Sequence, residues 1–105
     1  MLWLTRKPGQ RVKITCPDGH DIWLTMRDRW IDCERSGIVD VASTDSAAYY
    51  DIGQDTIEIM LRLAQSVGQH HSIGIDAPKT YHVMREELLT RRRYPRAITQ
   101  PGETV

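Results

Sequence analysis

Arg85 stands where an alternating run, Tyr81-His82-Val83-Met84, gives way to the acids Glu86 and Glu87. A side chain at a strand end can leave the sheet rim. A planar guanidinium placed there can hydrogen-bond a phosphate or a guanine edge and stack on a base. The plainer alternative is an ion pair with Glu86 or Glu87. Arg6 and Lys7 close a second alternating run, Leu2-Trp3-Leu4-Thr5, and offer positive charge to phosphates or simply a solvated hairpin end. Arg91-Arg92-Arg93 and Arg96 form a basic stretch that either steers a polyanion or complements a helix dipole. Cys16, His20, Cys33, His70 and His71 include metal-ligand types, but their spacings match no common zinc pattern, so no metal is expected. There is no nucleophile-and-base motif and no phosphate-cradling glycine loop, so neither catalytic residues nor a cofactor is expected, and the chain is not read as an enzyme.

Short strands must position these residues. Leu2 and Leu4 alternate, Lys7-Pro8-Gly9-Gln10 supplies a turn, and Val12 and Ile14 resume the alternation, which predicts an opening hairpin. Pro17-Asp18-Gly19 is a further turn before Ile22, Leu24 and Met26; Trp30-Ile31 and, after Ser36-Gly37, Ile38-Val39-Asp40-Val41 suggest a second hairpin. Residues 43 to 55 are rich in small and turn-forming types and read as a long loop. Residues 55 to 65 fit a strand through Ile57, Ile59, Leu61 and Leu63 and a helix face through Ile57, Met60, Leu61 and Ala64 equally well. Ile73 and Ile75 alternate, Ala77-Pro78 forces a corner, and Tyr81 and Val83 alternate again. From Glu86, acids followed by Leu88-Leu89 and three arginines predict a short helix ended by Pro95, with 95–105 a disordered tail.

A chain of 105 residues forms one domain at most and is a marginal monomer, for which a partner subunit is a natural remedy. Its 14 basic and 14 acidic residues cancel, so nucleic-acid binding would rest on local contacts and not on a global field. The N-terminus turns polar too early for a signal peptide, and no apolar run approaches the roughly 18 residues of a membrane span, so a cytoplasmic protein without membrane contact is expected.

Two stretches carry a resemblance. Leu2-Trp3-Leu4-Thr5-Arg6-Lys7-Pro8-Gly9-Gln10, and Ile73-Gly74-Ile75-Asp76-Ala77-Pro78-Lys79 continuing to Val83-Met84-Arg85-Glu86-Glu87-Leu88, resemble the two ends of the carbon storage regulator (CsrA/RsmA) family. The likeness covers about residues 1–14 and 55–94, so the chain reads as one domain, 1–94, interrupted by an insertion at 15–54 of uncertain strand or loop structure. Gly19 to Met26 and Gly53 to Met60 both look like the start of the family's third strand. Either the segment is partly duplicated or the insertion follows the earlier copy; the later copy fits the spacing to Ile73 better.

The resemblance implies a mainly β fold: a small interleaved homodimer of about five-stranded protomers, with strands exchanged between chains and a short C-terminal helix. It further implies a post-transcriptional regulator that binds GGA motifs in single-stranded loops of messenger or small regulatory RNA and alters translation or RNA stability; a protein antagonist is left open as a partner. The RNA surface it implies comprises Leu4, Thr5, Arg6, Lys7, Ala77, Pro78, Tyr81, Val83, Met84, Arg85 and Glu86. Strand-edge backbone and stacking would then give specificity without a large field. Met84 stands where the family usually carries His. Tyr81 replaces a small β-branched residue and either adds a stacking platform worth about 1–3 kcal/mol per base or fills the pocket. The competing expectation is a regulator-like scaffold whose inserted Trp23, Trp30, Tyr49 and Tyr50 bind a protein instead.

Overall fold

The computed structural model describes residues 1–63 and 70–87. Nine strands form among them: β1 (Leu2–Arg6), β2 (Arg11–Thr15), β3 (Ile22–Met26), β4 (Ile31–Arg35), β5 (Ile38–Ala42), β6 (Ala48–Ile52), β7 (Asp55–Arg62), β8 (His71–Asp76) and β9 (His82–Arg85). They build two antiparallel sheets, one ordered β1-β8-β7-β6 and the other β5-β4-β3-β2-β9. Period-two alternation explains both. Ile57, Ile59 and Leu61 of β7 and Ile73 and Ile75 of β8 turn into one core with Val12, Ile14, Ile22, Leu24, Met26, Ile31 and Cys33 from the other sheet, all buried. Glu58, Met60 and Arg62 fall on the opposite face, which resolves residues 55–62 as strand. The alternative helix face would have mixed these two sets.

The mainly β expectation holds, but nine strands replace the expected five. The difference comes from residues 15–54, which furnish β3, β4, β5 and β6 and lie inside both sheets. The loop expected over 43–55 reduces to residues 43–47 and the turn Gly53-Gln54. Ala48, Tyr50 and Ile52 then alternate inward as β6, where a small alanine occupies a buried position. The hairpin expected around Ser36-Gly37 forms between β4 and β5. Both turn residues have positive φ, 53° and 81°, the geometry that matches a two-residue turn to strand twist. Glu86 and Glu87 take helical backbone; the remainder of the helix expected from Glu86, and the tail 95–105, lie outside the described residues.

The two sheet orders correspond strand for strand. Placing β5 for β1, β4 for β8, β3 for β7 and β2 for β6 converts β1-β8-β7-β6 into β5-β4-β3-β2. The two stretches that resembled one strand, Gly19 to Met26 and Gly53 to Met60, therefore lead into equivalent strands, β3 and β7. Only β9 has no counterpart: it covers the edge of β2, whereas β6 ends its sheet.

Candidate functional site

The chain brings its two motif-bearing strands together from different sheets. β1 pairs only with β8, through Leu2↔Ile75, Leu4↔Ile73 and Arg6↔His71, and β9 pairs only with β2, through Val12↔Arg85 and Ile14↔Val83. Each is a sheet edge. Leu2 and Val83 line one cavity, and Arg6 meets Glu87 just beyond β9, so the two edges approach each other at both ends, in the same sense. Between them lies a seam in which one side of each strand offers backbone groups outside any ladder.

At its first end the seam opens into a cavity of about 250 Å³ lined by Met1, Leu2, Ile75, Ala77, Pro78, Lys79, Tyr81 and Val83. Four of the expected residues, Ala77, Pro78, Tyr81 and Val83, therefore gather in one wall. Tyr81 is buried and its hydroxyl donates to Asp55 Oδ2 at 2.9 Å. Burial first, then that hydrogen bond, pushes the phenol up to about 12, so it stays a neutral donor. The Tyr81 ring consequently closes the floor of the cavity and is held in place.

The second end is built on charge. Arg6 is the one charged side chain buried among the described residues. Its Nη1 and Nη2 donate to Glu87 Oε1 and Oε2 at 2.9 and 2.7 Å, its Nε to the Thr5 carbonyl at 3.1 Å and Nη1 also to the Arg11 carbonyl at 3.2 Å. This bidentate pair ties the end of β1 to the second residue after β9 and so fixes the width of the seam at this end. Glu87 is held at about 2, chiefly by those hydrogen bonds from Arg6. Arg11 donates to Glu86 Oε2 at 3.1 Å and lies 4.1 Å from the centre of the Trp23 ring.

These pairs decide which arginine faces outward. Glu87 closes on Arg6 and Glu86 on Arg11, leaving Arg85 exposed at the strand end, with Glu87 near enough to feel its charge. Arg6, expected to meet phosphate, instead turns inward as a clamp. Lys7 is exposed in the β1–β2 turn, where its N–H donates to Gln10 Oε1 at 2.8 Å. Leu4 is half-buried against the core; Thr5 lies exposed on the outer face opposite Ser72. Met84 is half-buried on the outer face opposite Lys13, away from the cavity.

Sequence reasoning missed Met1, Leu2, Ile75 and Lys79 as cavity residues. Leu2 was legible through its alternation with Leu4, whereas Lys79 depends on how the corner 77–81 folds back. Of the inserted aromatics, Trp23 lies on the outer face of its sheet beneath Arg11, Trp30 Nε1 donates to Asp32, Tyr49 is exposed and Tyr50 is half-buried. No protein family, curated protein or solved structure matches this chain.

Proposed function

We propose that this protein binds single-stranded RNA loops carrying GGA through the β1–β9 seam, and thereby alters translation or lifetime of messenger RNA in the cytoplasm. The observation that carries the reading is the approach of two sheet edges, with a cavity walled by Ala77, Pro78, Tyr81 and Val83 at one end and exposed Arg85 at the other. Strand-edge N–H and C=O groups outside the ladders read a splayed base as another base would, the apolar cavity accepts its face, and Arg85 reaches phosphate or a guanine edge. No step requires bond chemistry, metal or cofactor.

The resemblance assigns this surface to two chains, the first strand of one beside the last strand of the other. Here one chain supplies both strands, so the site is complete in a single copy, with one RNA per chain. The segment from Glu86 onward is proposed as the C-terminal helix, its Arg91-Arg92-Arg93 steering RNA toward the seam. The test is equilibrium binding of a hairpin with GGA in its loop against the same hairpin scrambled, at fixed salt, for the natural chain and Arg85→Ala. Binding that requires both the motif and Arg85 supports the reading; binding indifferent to both removes it.

A further inference from the structure

The strand-for-strand correspondence of the two sheets leaves one position empty. β2 is covered by β9, but its equivalent, β6, ends its sheet among the described residues. Of the usual protections this edge carries only Asp51 and its short length: Ala48-Tyr49-Tyr50-Asp51-Ile52 contains no proline and no lysine. The neighbouring edge strand β5 is equally open, with Ile38, Val39 and Val41 exposed by 69, 58 and 51%, and Tyr49 of β6 by 59%. Polar atoms in the interior beneath β6 are also incomplete. Tyr50 Oη and Arg35 Nε are buried without a hydrogen-bond partner among the described residues, and Arg35 and Asp40 are charged neighbours of the Tyr50 hydroxyl.

We infer that β6 pairs with β6 of a second copy of this chain across a two-fold axis at Tyr50, extending the four-stranded sheet to eight. The occupant follows from fit. Antiparallel pairing about Tyr50 sets Tyr49 opposite Asp51 of the other copy and Ala48 opposite its Ile52, twice over, so each edge covers the other with no like charges opposed. The five-residue strands match in length. Of the other edge strands, β9 is held by the Glu87–Arg6 and Glu86–Arg11 pairs and β1 by the clamp beside it; β5 is as open, but two-fold pairing about its centre would oppose Asp40 to Asp40, and pairing it with β6 would be head-to-tail and would not close a dimer. This association leaves both β1–β9 seams untouched. It differs from strand exchange because each copy already holds its interleaved strands within one chain.

Charge placed on β6 tests the register. Tyr49→Lys sets lysine beside Glu58 in its own sheet, where Tyr49 and Glu58 are paired, and opposite Asp51 of the other copy; its dimer should persist. Adding Asp51→Lys opposes lysines at both ends of the interface, and the dissociation constant measured by sedimentation should rise at least tenfold over the single variant, with circular dichroism unchanged. A natural chain that stays monomeric at every concentration, or a dimer indifferent to the double substitution, overturns the inference. Hydrogen exchange on the natural chain gives an independent reading: protection of the 48–52 amides should grow with protein concentration, and protection that is flat across the dilution series also overturns it.

Discussion

Gly74 should tolerate a methyl group only when Trp3 is absent. Gly74 lies on β8 opposite Trp3 of β1, and the indole ring covers it. A Cβ at residue 74 would meet the ring atoms Cη2, Cζ3 and Cζ2 at 2.7, 2.8 and 3.0 Å. Carbon atoms in good contact sit about 3.5–4.0 Å apart, so the ring must retreat by roughly 1 Å. It is not free to do so without loss, because the Arg62 guanidinium lies 4.2 Å from the ring centre. Overpacking a buried site costs about 1–3 kcal/mol, and the Trp3 ring, partly open to solvent, places Gly74→Ala near the lower end, about 1–1.5 kcal/mol. A domain of this size loses roughly 4–8 °C of Tm per kcal/mol. In a Trp3→Ala background the clash is gone and only the strand preference remains, which favours alanine over glycine by about 0.5–1 kcal/mol. Denaturant unfolding of the natural chain, both single variants and the double variant measures the coupling. An equal cost of Gly74→Ala with and without Trp3 would refute the reasoning. The stack also bears on the site, since Trp3 fastens β1, one wall of the seam, onto β8.

Other consequences follow from the seam and the core. Glu87 sits at about 2 against an ordinary 4.5, so its contribution to stability is complete above about pH 4.5 and is lost as pH falls through 2. Solvent on its half-exposed side chain trims the size of the effect, and Glu87→Gln should flatten that part of an acid-unfolding profile; an unchanged profile contradicts the clamp. Tyr81→Phe removes the hydrogen bond to Asp55 but keeps the ring, so it should cost about 1 kcal/mol in a thermal melt while leaving RNA binding within about twofold. Cys16 and Cys33 are buried, and burial pushes the Cys33 thiol up to about 12, so a thiol reagent at pH 8 should modify neither until the chain is unfolded. Rapid modification of Cys33 in the native protein would contradict the placement of β4.

Much of the strand pattern was legible because alternation is strict where both neighbours are strands. Val12/Ile14, Ile22/Leu24/Met26 and Ile73/Ile75 read directly. β6 did not, because Ala48 and Asp51 carry little strand signal and the run sits among serines and aspartates. The architecture was also hidden: alternation states which face a residue takes, not which sheet its strand joins, so that residues 15–54 furnish four strands shared between both sheets could not be read. The site divided similarly. Ala77, Pro78, Tyr81 and Val83 were found as a group. Arg6 was mistaken for an outward charge because Glu87, its partner, is 81 positions away and meets it only after the sheets have packed. The same closure selects Arg85 as the exposed arginine, which composition could not distinguish from Arg6 or Arg11.

Calorimetric titration of a GGA-loop hairpin into the natural chain, beside its scrambled counterpart, tests the central claim most directly. The account predicts motif-dependent heat with one RNA bound per chain, since β1 and β9 of the same chain form the seam and β6 lacks the strand needed for a second. No motif-dependent heat, or one RNA for every two chains, would contradict it.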